Sequence, residues 1–366
     1  MKILCIIDSL GSGGAQRQMT YLVKGLKKQG HDVSLFIYQP GHNHFRSTIE
    51  SIGIPIYEVE RNGRKGFSLL VLWKLYLRLV GGMDGIVSFL PTANVYAALA
   101  KVMVPNCRLI VSQRTSSVAV TSKVRKWISC FAYYCGSTVT TNSQTETDVL
   151  RKALPRLAGK IHTVWNGYDF DEFELERSRN IGVRKLLVVG RVAYMKNGLR
   201  LLQALDLFQR RNGWLPYVQW AGRRETSAHS YKIQMEMDQF LKKHPMVADR
   251  WAWLGEVSNV DQLYRESDAL VHVSLFEGLP NVVCEAMIAG CPVIASDVCD
   301  HPILLGRGER GLLCDPLSHE AICEAIERLD SMAENDRTTM VLKAREFAEK
   351  NLGIERMVKE YEAFLT

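Results

Sequence analysis

The chain lacks several features that would assign it to a class at once. No apolar run in its 366 residues approaches the roughly 20 needed to cross a bilayer. The longest candidate, residues 67–80, is interrupted by Lys74 and Arg78. There is no CxxC pair among the nine cysteines, and their number is odd, so neither a disulfide framework nor a zinc ribbon is expected. Cys284, Cys291, Cys299 and Cys314 sit in or beside apolar runs and read as small core residues of a protein kept in a reducing cytoplasm. The nine histidines contain no H-x3-H pair, and His42 and His44 have no carboxylates close by in sequence, so no metal site is expected. Low-complexity tracts and short repeats are absent. The apolar opening, residues 3–7, meets Asp8 too soon for a signal peptide and reads as a first strand.

What is present is ordinary globular composition, 47% hydrophobic and 23% charged, and a length that accommodates two domains. The formal net charge of +7 conceals a division. Residues 1–163 hold 21 basic and 8 acidic side chains, a balance of +13; residues 164–366 hold 25 basic and 31 acidic, a balance of −6. Such asymmetry sets an anionic partner against the first half only.

Periodicity indicates two blocks of alternating strand and helix. The first has strands near 3–7, 32–38, 85–89, 108–112, 137–142 and 162–165. A glycine turn at 11–14 and a helix over 15–29 follow its first strand. A polar stretch after it reads as a linker. The pattern then restarts with strands near 185–189, 218–221, 251–254, 269–273 and 292–295. Helices are expected over 198–209, 260–266 and 281–289, with three more near 317–331, 334–350 and 354–365. Two successive βαβ blocks imply an α/β protein of two doubly wound, Rossmann-like domains facing one cleft. The expected divisions are 1–168, a linker at 169–183, a second domain at 184–350 and a terminal helix at 351–366 packing back on the first domain.

One stretch carries most of the chemistry. Glu277 follows a strand and opens a Gly278-Leu279-Pro280-Asn281 loop; Glu285 lies in the first turns of the next helix, seven residues intervening. Backbone N–H groups of such a loop and helix start attract a diphosphate. Carboxylates on either side accept hydrogen bonds from sugar hydroxyls. A second element, Gly190-Arg191 with Lys196, places two cations after a strand, suited to neutralising a departing diphosphate. Taken singly, these are also what surface charges and a helix N-terminal acid look like; the shared context argues otherwise.

The E-x7-E pair with its Glu285-Ala286-Met287 and Gly290-x-Pro292-Val293 continuation resembles the family-4 retaining glycosyltransferases of GT-B fold. The G-R-x4-K element at 190–196, the glycine loop containing Gly13 and Gly14, and Asn166-Gly167-Tyr168-Asp169 resemble the same family. The resemblance spans residues 3 to about 316. It implies transfer of a sugar from a nucleotide sugar, a UDP-sugar by expectation, with no further cofactor. Arg191 and Lys196 would hold the diphosphate, Glu285 the ribose and Glu277 the transferred sugar, with Gly13, Gly14, Gly190 and the Gly278–Asn281 backbone completing the site. Glu277, Arg191 and Lys196 are the expected catalytic groups. The reaction it implies is front-face displacement, without the close carboxylate pair by which retaining hydrolases form a covalent intermediate.

Two departures stand out. Where the family has G-G-x-x-E, this chain has the run Val298-Cys299-Asp300-His301-Pro302-Ile303. Where many members carry a histidine after the strand at 108–112, this chain has Gln113 and Arg114, which makes Arg114 the candidate cleft cation.

The first domain of such enzymes binds the acceptor, and here it carries the basic residues. Arg61, Arg64 and Lys65 precede an apolar stretch. Lys123, Arg125 and Lys126 begin a helix with Val124, Trp127, Ile128 and Phe131; Arg151, Lys152, Arg156 and Lys160 form a further cluster. A basic apolar helix reads as membrane-surface binding, although 124, 127, 128 and 131 are also the spacing of any core-facing helix. The expected acceptor is a polyprenyl-diphosphate-linked or lipopolysaccharide-type glycan, met at an anionic membrane surface on the cytoplasmic face. A soluble acceptor and a nucleotide-sugar epimerase of the same fold remain the alternatives. A nicotinamide enzyme would need an acid at the end of the second strand, where Tyr38 and Gln39 stand instead. Nucleic acid is not an expected partner, since the basic residues form no recognised motif.

Overall fold

In the computed structural model the apolar opening forms β1 (Lys2–Ile7), buried on both faces. Ile3, Cys5 and Ile7 join one core while Leu4 and Ile6 join another, as side chains alternating along a strand must. A strand apolar on both faces needs helices on both faces, and that requirement favours a parallel sheet. The structure describes residues 1–60, 67–114, 123–173, 182–257 and 259–366.

The chain divides into two units. Unit 1 is Met1–Tyr168 together with Leu352–Thr366; unit 2 is Asp169–Asn351. Unit 1 continues with β2 (Asp32–Ile37), β3 (Ile56–Glu58), β4 (Gly85–Phe89), β5 (Arg108–Gln113), β6 (Thr138–Thr141) and β7 (Ile161–Thr163). They form one parallel sheet in the order β3-β2-β1-β4-β5-β6-β7. Unit 2 contains β8 (Lys185–Val189), β9 (Tyr217–Ala221), β10 (Trp251–Gly255), β11 (Ala269–His272), β12 (Val293–Ser296) and β13 (Leu312–Cys314). Its order is β10-β9-β8-β11-β12-β13, again parallel. Each sheet is doubly wound, so strand order reverses at one point: between β1 and β4 in unit 1, and between β8 and β11 in unit 2. Loops leaving the carboxyl ends at such a point diverge and open a crevice.

The C-terminal helix Ile354–Leu365 belongs to unit 1. It lies so close to helix Gly14–Lys28 that a Cβ on Gly25 would stand 2.3 Å from a Val358 methyl. Met357, Val358, Tyr361 and Leu365 are buried with Ile3, Cys5 and Ile7. Full burial of such side chains is worth on the order of 1.5–3 kcal/mol each. His31 Nε2 and Glu362 Oε1, 2.7 Å apart, close the edge of this contact.

The sequence pattern passes over β3 and β13. Both are three-residue edge strands, too short to display a period. The strand expected at 162–165 ends at Thr163, before Trp165. Much of the linker expected at 169–183 falls on residues 174–181, outside the described residues; at its end the Val183 N–H donates to Asp330 Oδ1 at 2.8 Å.

Candidate functional site

The switch point of unit 2 brings Lys196 and Glu277 together. Lys196 leaves β8 through a loop that begins at Gly190, whose φ of +139° and whose contact with the lysine stem both require glycine; a Cβ there would meet Lys196 Cε at 2.9 Å. Asn197 adopts the left-handed conformation, φ +58°, and its Nδ2 donates to the carbonyls of Val273 at 3.1 Å and Pro316 at 2.7 Å. The Leu275 N–H donates to the Met195 carbonyl at 2.8 Å. These bonds bind the loop after β8 to the end of β11. They set Lys196 Nζ 2.6 Å from Glu277 Oε1, with side chains only 16% and 15% exposed. His272, the last residue of β11, places Nε2 3.2 Å from the same oxygen. Among the described residues, Glu277 Oε2 has no protein partner.

The electrostatics follow from this packing. Burial alone would raise the Glu277 carboxyl, but the Lys196 charge and the His272 contact outweigh it and hold the group well below the usual carboxylate range. Burial, then the Lys196 charge, pushes the His272 imidazole down, so it is neutral near pH 7. The His301 ring stands edge-on to His272 with centroids 5.3 Å apart. Burial, reinforced by His272, pushes it down to about 3. Its Nδ1 lies 2.8 Å from the Ser296 carbonyl, while its Nε2 is buried without a hydrogen-bond partner.

The other expected residues of unit 2 surround this pair. Arg191 is more than half exposed and donates to Glu225 Oε1 at 2.7 Å. Gly278, Leu279, Pro280 and Asn281 lead from Glu277 into the helix Asn281–Ile288, which has no side-chain cap; the Val283 N–H donates to the Pro280 carbonyl at 3.0 Å. Glu285 lies inside that helix, 8% exposed, and accepts a hydrogen bond from the Tyr264 hydroxyl at 2.9 Å. Cys299, in the run that departs from the family's G-G-x-x-E, adopts φ +52°, a conformation costly for a residue with a Cβ. The Glu277 N–H donates to its Sγ at 3.3 Å, so the departure from the motif is structurally tied to the glutamate. A cavity of about 540 Å³ beside Phe276 is lined by Tyr194, Asp297, Asp315 and Leu317 among others, and no cation lines it.

Gly13, Gly14 and Arg114 belong to unit 1. Gly13 precedes helix Gly14–Lys28 without a side-chain cap; Gln16 folds back beside it and donates to Asp8 Oδ1 at 2.9 Å. Arg114 donates to Ser112 Oγ at 3.0 Å, to the Tyr361 hydroxyl at 2.7 Å and to Asn166 Oδ1, and it stacks over Phe89 at 3.9 Å. Three of its N–H groups thus serve unit 1 itself, joining the end of β5 to the C-terminal helix.

Unit 1 also carries an apolar surface. On helix Leu69–Val80 the residues Leu69, Leu70, Trp73, Leu77 and Val80 are about half exposed or more, while Val71, Leu75 and Leu79 face inward. On helix Lys123–Cys135, Trp127 is 74% exposed and Ile128 is 37% exposed, so those two do not serve as core residues, contrary to the core-facing reading of their spacing. Arg61, Arg64 and Lys65, and the side chains of Lys123, Val124 and Arg125, lie outside the described residues. Among the described residues no helix is long and apolar enough to cross a membrane. No group of three metal-ligating side chains is placed together among them.

His272, Asn197 and Tyr264 escape the motif reading, and Cys299 enters it only as part of a departure from the family pattern. Only His272 leaves a trace in sequence, as a polar residue inside the otherwise apolar run 269–273.

Two doubly wound parallel units, with a partly buried cation–carboxylate pair at the switch point of the second, are the architecture of the GT-B fold. The Anabaena protein HepE in complex with UDP shares this fold, with a TM-score of 0.82 at 19% identity over 100% of this chain and 99% of that one. The glycosyltransferase family 4 model matches residues 12–172, and the glycosyl transferases group 1 model matches residues 183–331. A Campylobacter jejuni enzyme, named as an α-1,4-N-acetyl-D-galactosaminyltransferase acting on a GalNAc-α-(1→4)-GalNAc-α-(1→3)-diNAcBac-PP-undecaprenol, is 24% identical over 99% of this chain and 97% of its own length. The amylovoran biosynthesis glycosyltransferase AmsD of Erwinia amylovora is 26% identical over 90% of each chain. The chain belongs to the family-4 glycosyltransferases.

Proposed function

We propose that the protein transfers a hexose or N-acetylhexosamine from a UDP-sugar, with retention at the anomeric carbon, to a hydroxyl of a polyprenyl-diphosphate-linked or lipopolysaccharide-type glycan. The observation that carries this reading is the Lys196–Glu277 pair, largely shielded from solvent and with Oε2 unpartnered among the described residues, at the switch point of unit 2. Lys196 and Arg191 hold the diphosphate and neutralise the leaving group, while Glu277 accepts hydrogen bonds from the transferred sugar. Glu285 takes the ribose hydroxyls, its carboxylate steadied by Tyr264. The cavity beside Phe276, with Tyr194 and two aspartates but no cation, suits a hydroxyl-rich neutral ring better than a phosphate.

In this reaction the acceptor oxygen forms its bond to the anomeric carbon on the face that the diphosphate oxygen leaves. The acceptor proton passes to that departing oxygen. No protein nucleophile and no resident metal are required, and the nucleotide sugar is a substrate, so no further cofactor takes part. The undecaprenol-linked acceptor in the Campylobacter relative's name and the UDP in the Anabaena complex support the substrates. The exposed apolar helices on the basic unit support peripheral attachment to the cytoplasmic membrane face.

A panel of UDP-, GDP- and ADP-sugars tests the reading, each offered with an undecaprenyl-diphosphate-linked and a soluble glycan in EDTA. Transfer from a UDP-sugar to the lipid-linked acceptor, with an unchanged anomeric configuration by NMR, is expected. Interconversion of the nucleotide sugar without acceptor would favour an epimerase instead.

A further inference from the structure

Glu277 has two protein partners of different character, and both use one oxygen. Lys196 Nζ approaches Oε1 from the loop after β8, and His272 Nε2 approaches it from the end of β11. The His272 side chain is 1% exposed, so nothing arriving from solvent reaches it. Lys196, at 16%, lies where a ligand does reach. If the ammonium serves the donor diphosphate, as proposed above, it is drawn toward a more highly charged anion whenever substrate binds. Glu277 would then be buried with a weakened partner at the moment it must accept sugar hydroxyls, and burial alone drives a carboxylate toward protonation and rotation.

We propose that His272 is the positioning residue for Glu277: its Nε2–H grips Oε1 while Lys196 turns to the donor diphosphate, leaving Oε2 for the sugar. This rests on the function proposed above. The environment of His272 keeps it a donor. The groups facing it are Glu277 and Lys196, His301 edge-on at 5.3 Å, and Ser274, whose Oγ lies 3.3 Å from Nε2. With His301 held neutral, Lys196 is the one cation beside His272 among the described residues that competes for the carboxylate. A neutral imidazole also orients a carboxylate without the charge that would draw it away from substrate.

The test compares His272→Leu, which removes the donor, with His272→Gln, whose amide N–H restores one. Turnover uses the UDP-sugar that performs best in the panel above, and UDP binding is measured in parallel by calorimetry. His272→Leu should lower kcat at least tenfold, change the donor KM less than threefold and leave UDP binding intact. Its activity should also acquire an acid limb at least one pH unit above that of the wild type, because Glu277 loses the partner that keeps it ionised. His272→Gln should recover most of kcat and the original limb. If His272→Leu does not fold, His272→Asn, polar but too short to reach Oε1, serves in its place. Near-wild-type kcat and an unmoved acid limb in the folded variant overturn the inference, as does a His272→Gln enzyme equal in defect to His272→Leu. A wild type that neither binds UDP nor transfers sugar would instead defeat the underlying function.

Discussion

The two units share a topology and put it to different uses. At the carboxyl edge of unit 1 the charged group Arg114 is absorbed by its own unit, donating to Ser112, Asn166 and Tyr361. At the corresponding edge of unit 2 a partly buried ammonium and carboxylate face each other, with Oε2 of Glu277 unpartnered among the described residues and the Nε2 of His301 orphaned. Unit 1 turns apolar side chains outward on the helices Leu69–Val80 and Lys123–Cys135. Polar groups satisfied by their own fold stabilise it, while polar groups held ready in a crevice serve a ligand. The doubly wound architecture is therefore a scaffold common to both halves, and the chemistry lies in which strand ends carry uncommitted groups.

The largest effect should come from breaking the unit 2 pair. Glu277→Ala and Lys196→Ala are each expected to lower transfer by a factor on the order of 100–1,000 in a folded protein, as loss of one charge-stabilising group does. A rate assay paired with a thermal melt separates chemistry from unfolding. Arg114→Ala should do the reverse. Loss of its charge-assisted hydrogen bonds should cost unit 1 about 2–3 kcal/mol in denaturant melts, with a smaller effect on rate. A hundredfold rate loss without destabilisation would instead make Arg114 a substrate-binding cation.

The buried histidine supplies a pH test. His301 has a folded value near 3, below its unfolded value, so unfolding takes up protons and stability falls with pH below about 6.5. The contribution is roughly 2 kcal/mol lost between pH 7 and pH 5, and His301→Asn should remove that slope in denaturant titrations. The smallest change in stability should come from the surface of unit 1. Trp73→Ser with Trp127→Ser is expected to alter the melt by less than about 0.5 kcal/mol. Co-sedimentation with anionic vesicles should nonetheless fall, and the remaining binding should be more sensitive to salt.

Much of this was legible in the sequence. The alternation of apolar runs with helical stretches gives the two parallel sheets, because a strand buried on both faces leaves a continuous apolar signature. The Glu277 and Lys196 motifs are legible because glycine, proline and charge must recur at fixed offsets to form those loops. What the sequence conceals is who touches whom. Tyr264 on Glu285 and Cys299 on Glu277 join residues 21 and 22 apart in sequence, His272 beneath Glu277 depends on how the end of β11 packs, and the left-handed Cys299 on a local φ that no composition reveals. Trp127 and Ile128 show the same limit. Their spacing is that of a core helix, and only the packed sheet reveals that they face outward.

The central claim is that Lys196, paired with Glu277, holds the donor diphosphate. Calorimetric titration of UDP into the wild type and Lys196→Ala tests it most directly. The account predicts binding to the wild type and at least tenfold weaker binding to the variant, with the melting transition preserved. Equal affinity for UDP in both proteins would contradict it.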